Sequence, residues 1–378
     1  MKVAILTLPV HINYGGILQA YALQTVLRKM GHEVTILHHV KQNKDIPIWH
    51  LPLKFAKQLI KKILIDHHTT VFEEQRRDVE YPILTQHIKK FIDTHLHLRV
   101  IEQFTDIQNN DYDAFIVGSD QVWRPVYFKQ MWNSPIQNAF LDFAKSWDIK
   151  RIAYAASFGT DKWEYDKKET FDCAKLLKLF NCVSVRESSG IDICAKHFGI
   201  KPFHALDPTM LLTKEDYQEL ISNISSLPNQ KEFLLTYILD ETKEKKNFVK
   251  KIAQERTLAV KKIHVGARYT NRPIEERICP SIEEWLLNFH NASMVITDSF
   301  HACVFSILFQ KPFIAVGNPK RGMARFVSLL SMFGLEKNLL YHASNYDAEY
   351  SYAIDNKIHE QLAELRMHST QLLASVLA

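Results

Sequence analysis

Short apolar runs alternate with helical patterns along most of this chain, and the alternation starts twice. Lys2 to Thr7 is an apolar run. A loop through Asn13, Tyr14, Gly15 and Gly16 follows, then a helix from about Ile17 to Met30 and a second strand at Glu33 to His38. Further strands are expected at Ala114 to Val117, Ile152 to Ala156, Val183 to Val185 and Phe203 to Leu206, with helical patterns between several of them. After Asp207-Pro208 the pattern restarts. Phe233 to Leu239 precedes a Lys/Glu-rich helix from Glu241 to Arg256, then come Val260 to Val265 and a helix from Ser281 to Asn291. Met294 to Thr297, a helix opened by Asp298 and Phe313 to Val316 complete it. Strand-helix alternation of this kind specifies parallel α/β sheets. Two such sheets, divided between Pro208 and Leu227, account for the whole pattern. The expected halves are 1–212 and 213–378, with the last helix packing back on the first half.

A length of 378 residues suits two domains of ordinary size, each able to bury a core. A hydrophobic content of 46% with 24% charge is that of a soluble globular protein. The longest uncharged apolar runs, such as Ala302 to Phe309, fall far short of the roughly 20 residues a bilayer span needs. The opening MKVAILTLPV is too short and lacks the small-residue cleavage site of a signal peptide, so it reads as a first strand of a cytoplasmic protein. Cys173, Cys182, Cys194, Cys279 and Cys303 include no pair at metal-ligand spacing, and His38-His39 and His67-His68 are adjacent rather than spaced along one helix face. No metal site is expected. A formal charge of +5 is too small for a dedicated nucleic-acid binder and suits an anionic small substrate or a negatively charged surface.

In parallel sheets, ligands bind outside the carboxyl ends of the strands. Polar clusters recur there: Asn13-Tyr14-Gly15-Gly16, Gly118-Ser119-Asp120-Gln121, Ser157-Phe158-Gly159, Arg186-Glu187 and Asp298-Ser299-Phe300-His301. The last has the outline of an anion site, because a helix start offers unpaired N–H groups and a positive dipole end, and Lys320 and Arg321 follow the next strand. Several of these residues carry a plainer reading of comparable weight. Asp298 and Asp120 could each cap a helix, and the Asn13 to Gly16 loop could be only a flexible connection. Arg186 could pair with Glu187 as a structural ion pair.

NYGGILQAYALQTVLRKMGHEV (Asn13 to Val34), GSDQVW (Gly118 to Trp123), VSVRESSG (Val183 to Gly190), DPTMLL (Asp207 to Leu212) and DSFHACVFSILFQKPFIAV (Asp298 to Val316) together resemble the polysaccharide pyruvyltransferase family, in its order and across nearly the whole chain. The resemblance implies two Rossmann-like domains facing across a cleft in the glycosyltransferase-B style. It also implies transfer of the enolpyruvyl group of phosphoenolpyruvate to a sugar, closing a pyruvate ketal. No metal or prosthetic group is implied. On this reading His301 and Asp298 are catalytic, Arg186, Ser299, Lys320 and Arg321 hold the donor, and Asn13, Tyr14, Gly15, Gly16, Ser119, Asp120 and Gln121 face the acceptor. Phe300 stands where the family pattern often has arginine, with Arg321 and Arg325 as the substitute cations.

The family's lipid-linked acceptors give meaning to one further segment. Between Lys54 and Leu64, Phe55, Leu59, Ile60 and Ile63 fall on one side of a helical projection, and Lys54, Lys57 and Lys61 on the other. This is either an ordinary surface helix or a basic amphipathic helix resting on the inner face of the cytoplasmic membrane. A nucleotide-sugar glycosyltransferase and a non-catalytic scaffold subunit of polysaccharide assembly are the competing readings. No oligomeric state follows from the pattern.

Overall fold

The computed structural model describes residues 1–40, 73–224, 231–263, 272–318 and 322–378. Seven strands form the first sheet: β1 (Lys2–Leu6), β2 (Glu33–His38), β3 (Leu98–Val100), β4 (Ala114–Val117), β5 (Lys150–Ala156), β6 (Cys182–Val185) and β7 (Phe203–His204). Their order is β3-β2-β1-β4-β5-β6-β7, and every neighbouring pair is parallel. Five strands form the second: β8 (Phe233–Tyr237), β9 (Ala259–Lys262), β10 (Met294–Thr297), β11 (Phe313–Val316) and β12 (Leu339–Leu340), in the order β12-β11-β10-β8-β9, again all parallel.

The central strands read as unbroken apolar runs because helices cover both their faces. All four residues of β4, β10 and β11 are buried, as are the last four of β1. Chain order reverses between β1 and β4 in the first sheet and between β8 and β10 in the second. Such switch points are where parallel sheets open a crevice at their carboxyl ends. The polar clusters after β1, β4 and β10 therefore lie at these switch points.

The two sheets are not separate bodies. One apolar cluster runs from Val3, Ile5, Ile17 and Leu23 through Leu211 and Tyr217 to Trp285, Phe289, Phe305 and Phe313. At its centre lies the helix Phe300–Leu308, whose nine residues are all buried. A helix apolar on every face has no stable place except inside a core. Its Phe305 meets Tyr217 and Trp285 edge to face, with centroids 4.9 and 5.1 Å apart. The closing helix Asn356–Leu377 crosses to the first sheet's side, where Arg366 donates to the carbonyls of Met210 (2.8 Å) and Leu212 (3.1 Å).

The expected and observed elements differ at the margins. β3 and β12 were not anticipated, being too short to display a period. β7 stops at His204 rather than Leu206, and the helix after β10 begins at Phe300 with Ser299 as its N-cap, not at Asp298. The amphipathic segment Lys54 to Leu64 lies outside the described residues.

Candidate active site

Arg186 leaves the end of β6 and turns into the interior, where only 1% of its side chain is exposed. Its Nη1 donates to Asp207 Oδ2 at 2.8 Å and reaches Ser119 Oγ at 3.4 Å, and its Nη2 stands 3.6 Å from Asp120 Oδ1. Burial alone would weaken its hold on the proton, but the carboxylates of Asp207, Asp120 and Glu187 outweigh burial and raise its pKa. Two of its donors, Nε and Nη2, have no hydrogen-bond partner among the described residues. Buried guanidinium N–H groups are almost always satisfied, so this pair calls for an acceptor.

Asp207 comes after β7, in the loop where Pro208 starts a short turn. Its Oδ1 accepts from Thr209 N (3.0 Å) and Thr209 Oγ1 (2.6 Å), which leaves Oδ2 for Arg186. His301 Nε2 lies 3.6 Å from the same Oδ2, beyond hydrogen-bonding distance but well within reach of its charge. Burial would raise the Asp207 pKa. His301, Arg186 and Thr209 overcome it and hold the carboxyl far below the usual range. Asp207 is therefore an anion at any working pH.

His301 enters from the second half, in the first turn of the buried helix. Its ring fits only because Gly15 has no side chain: a Cβ built there would lie 1.9 Å from His301 Nδ1. Its Nε2 is buried without a hydrogen-bond partner. Beside it, the Phe300 ring carries two guanidinium groups, Arg186 at 4.8 Å and Arg325 at 5.7 Å from its centroid. Arg325 is pushed down to about 10 by burial and by the charge of Arg186, and so remains a cation at neutral pH.

The remaining first-half residues form the floor. Gln19 links the two strand ends at the switch point, donating to Thr7 Oγ1 (3.0 Å) and Gly16 O (2.9 Å) and accepting from Ser119 N (3.1 Å). Asp120, at φ 51°, does not cap the following helix, whose N-cap is Arg124; it faces Arg186 instead. Gln121 is half-buried, with its side-chain oxygen accepting from Arg124 Nη1 at 3.3 Å. Asn13 is exposed at the N-cap of the helix Tyr14–Lys29 and makes no side-chain capping bond. Ser299 is 7% exposed at the mouth of the helix, and its N–H donates to Thr297 Oγ1 at 3.0 Å.

Two expected site residues have other work. Asp298 is fully buried, and its carboxylate accepts from Leu239 N (2.5 Å), Asp240 N (3.1 Å), Lys245 Nζ (2.7 Å) and Asn318 Nδ2 (3.1 Å). It neither caps its own helix nor has a lone pair left for a substrate; it ties the ends of β8 and β10 together. Tyr14 is also fully buried, donates to Pro280 O at 2.7 Å and stacks on Trp285 with centroids 5.6 Å apart. It pins the halves together, with no part of its side chain open to solvent. Glu187 is not the partner of Arg186 in a hydrogen bond; its Oε1 accepts from Ser157 Oγ (3.0 Å), Phe158 N (2.7 Å) and Gly159 N (2.8 Å). Lys320 and Arg321 lie outside the described residues.

Asp207 is the residue the sequence reading missed. Its signal was present: an Asp-Pro step directly after a strand, inside a motif already singled out. Among the described residues no three His, Cys, Asp or Glu side chains are grouped to share a metal ion, and no helix is long and apolar enough to cross a membrane.

No curated protein matches the chain. Several solved structures follow a similar chain course. A UDP-GlcNAc 2-epimerase from Methanocaldococcus jannaschii is 11% identical, with 97% of this chain and 100% of that one covered and a TM-score of 0.46. MnaA of S. aureus, in a co-structure with UDP, is 12% identical over 96% and 91% with a TM-score of 0.49, and E. coli ADP-heptose LPS heptosyltransferase II is 12% identical over 97% and 99% with a TM-score of 0.33. The model of one family, described as polysaccharide pyruvyl transferase, matches residues 13–320, a span that contains Gly15, Arg186, Asp207 and His301. With most of its length inside that match, the chain belongs to the polysaccharide pyruvyl transferase family.

Proposed function

We propose that the donor is phosphoenolpyruvate and that it binds where Arg186, His301 and Phe300 meet. The observation that carries this reading is the set of buried donors without partners, Arg186 Nε, Arg186 Nη2 and His301 Nε2. Phosphoenolpyruvate has a phosphate and a carboxylate close together, and fixed N–H donors in a buried setting suit both.

Ketal formation then proceeds by general acid–base steps. A proton adds to the methylene carbon while a sugar hydroxyl attacks the adjacent carbon and gives up its proton. The carbon–oxygen bond to phosphate breaks, inorganic phosphate leaves, and the second hydroxyl loses its proton as it closes the ring. One proton gained by carbon and two lost by hydroxyls balance when the departing phosphate takes one. His301 Nε2 is the group for this transfer, since an imidazole nitrogen can both give and take a proton. Asp207 compensates the charge whenever His301 holds the proton. The reading requires no metal and no prosthetic group.

The acceptor is a sugar of a polysaccharide or of its precursor. Its wall is the floor of Ser119, Asp120 and Gln121 with Asn13 at the rim. We place the protein in the cytoplasm, acting on a lipid-linked precursor, with the basic segment Lys54 to Leu64 bringing it to the inner membrane face. Failure of liposomes containing anionic lipid to pellet the protein, or equal pelleting of a Lys-to-Glu variant, removes the membrane part and leaves the donor site standing.

The donor is tested by isothermal calorimetry with phosphoenolpyruvate and, separately, a UDP-sugar, on wild type, Arg186→Ala and His301→Ala. Phosphoenolpyruvate binding that is lost in Arg186→Ala is the expected result. Binding of the UDP-sugar and none of phosphoenolpyruvate overturns it in favour of glycosyl transfer. Near-normal turnover by His301→Ala removes His301 from the chemistry.

A further inference from the structure

Glu187 holds a carboxylate of which only one oxygen is occupied. The residue is 0% exposed, and although it is the N-cap of the helix Ser188–Phe198 its side chain makes no capping bond. Its Oε1 accepts instead from Ser157 Oγ (3.0 Å), Phe158 N (2.7 Å) and Gly159 N (2.8 Å). These donors fix the orientation of the group and leave Oε2 buried without a hydrogen-bond partner. The other buried carboxylates nearby differ. Asp207 has Thr209 on Oδ1 and Arg186 on Oδ2, and Asp298 accepts on both oxygens. A buried acceptor with no donor is costly, so Glu187 Oε2 calls for one. The unpartnered nitrogens of Arg186 call for an acceptor; a carboxylate oxygen calls for a group such as a hydroxyl.

The surroundings of Glu187 join the two parts of the site. Arg186, the donor's cation, precedes it in the chain. The segment that holds it, Ser157 to Gly159, is laced to the acceptor wall: Ser157 N donates to Asp120 O (3.1 Å), and Trp123 N donates to Ser157 O (3.2 Å). Gln121 lies across Gly159, which has φ 69° and where a Cβ would stand 2.0 Å from Gln121 Oε1. The second half closes on the same corner, since a Cβ on Gly322 would stand 2.1 Å from Gly159 O. Glu187 is thus anchored on the acceptor wall and adjoins the donor's cation.

A single imidazole cannot give a proton to carbon and take one from oxygen in the same step. We propose that Glu187 Oε2 is the general base for the attacking sugar hydroxyl, which leaves His301 the protonation of carbon. This rests on the reading of transfer from phosphoenolpyruvate to a hydroxyl given above and adds a second acid–base group to it. In the first step His301 gives its proton to the methylene carbon, the hydroxyl oxygen bonds to the adjacent carbon, and that hydroxyl's proton passes to Glu187. In the second the carbon–oxygen bond to phosphate breaks and the phosphate takes the proton from Glu187. The second hydroxyl closes the ring and gives its proton to His301. Carbon gains one proton, the hydroxyls lose two and phosphate carries one away, so both side chains end as they began.

The test compares the full chain as wild type, Glu187→Gln and Glu187→Asp. Glu187→Gln can keep every hydrogen bond on Oε1 and replaces only Oε2, by an amide nitrogen that takes no proton. Phosphoenolpyruvate affinity is read by calorimetry and folding by thermal melts. Chemistry is read as phosphate release, with a set of methyl hexopyranosides and with water alone as the smallest hydroxyl. Loss of a general base should cut release about 100- to 10,000-fold in Glu187→Gln, with phosphoenolpyruvate affinity within about threefold of wild type. Release per folded molecule close to wild type overturns the base and leaves Glu187 a structural anchor. Loss of phosphoenolpyruvate binding in a folded Glu187→Gln also overturns it, and assigns the residue to the donor pocket. If Glu187→Gln does not fold, Glu187→Asp decides. Its carboxylate is drawn back by one methylene and should lose about tenfold or more in release; release at the wild-type level overturns the base. A wild type that binds phosphoenolpyruvate and releases no phosphate, with sugars or with water, overturns it as well. A wild type that binds no phosphoenolpyruvate overturns the donor reading alone, and release of UDP from a UDP-sugar by the same three proteins then tests Glu187 against the same thresholds.

Discussion

The imidazole of His301 rests on the bare Cα of Gly15, so closely that a methyl group there would meet Nδ1 at 1.9 Å. The glycine comes from the first half and the histidine from the second, and the ring is placed by the absence of a side chain. Gly15→Ala should therefore cost at least 100-fold in turnover by displacing the ring. Its effect on folding alone would be mild, since alanine favours a helix over glycine by about 1 kcal/mol. A double-mutant cycle on thermal stability checks the cause: in a His301→Ala background, Gly15→Ala should be neutral or stabilising. Equal destabilisation in both backgrounds would mean that the clash lies elsewhere.

Asp207→Asn should destabilise the protein at pH 7 by about 3–5 kcal/mol, because Arg186 would remain buried and charged without its anion. The same group sets an acid limit. Its folded-state pKa lies far below the unfolded value of about 4, so its contribution is complete above that pH and is lost progressively as pH falls below it. Urea midpoints of wild type should decline between about pH 5 and pH 3, and those of Asp207→Asn should decline less. Parallel slopes would rule out Asp207 as their source.

Lys245→Ala strands the Asp298 carboxylate in a site with no solvent contact. The expected cost is about 3–5 kcal/mol of stability. Because the Asp298 carboxylate is taken up by protein donors at the strand ends, turnover by the folded fraction should stay within about twofold of wild type. A large fall in kcat at unchanged stability would return Asp298 to the chemistry.

Tyr14→Phe removes one hydrogen bond, to the carbonyl of Pro280, and keeps the stack on Trp285. It should lower stability by about 1 kcal/mol and leave the KM for the sugar acceptor unchanged. A raised acceptor KM with unaltered melting would place the phenol in the sugar site after all.

Tyr14 and Asp298 also mark where sequence reasoning stops. β1, β4, β10 and β11 were legible because strands covered on both faces need unbroken apolar runs, and that need is local. Arg186 and His301 stood out in the sequence by their position past a strand, inside recognisable motifs, and the fold brings both to the same Asp207 oxygen. Position past a strand does not say which way an aspartate faces. Asp298 and Asp207 have the same local setting, yet one is claimed by Lys245 and two backbone N–H groups of its own half, while the other meets a histidine arriving from the far half. Tyr14 was assigned to the acceptor because its loop borders the crevice, but Pro280 and Trp285 decide its place, and both are distant in sequence. Arg325 was visible only as one of two substitutes for the arginine absent at Phe300; its position over that ring is a tertiary fact.

The Arg186–Asp207 pair belongs wholly to the first-made part of the chain, whereas His301 sits on a helix that both cores share. During synthesis the cation and its counter-ion can find each other well before His301 has left the ribosome. His301 comes with the second sheet, so the ion pair of the first half meets this third member only when the shared core closes over both.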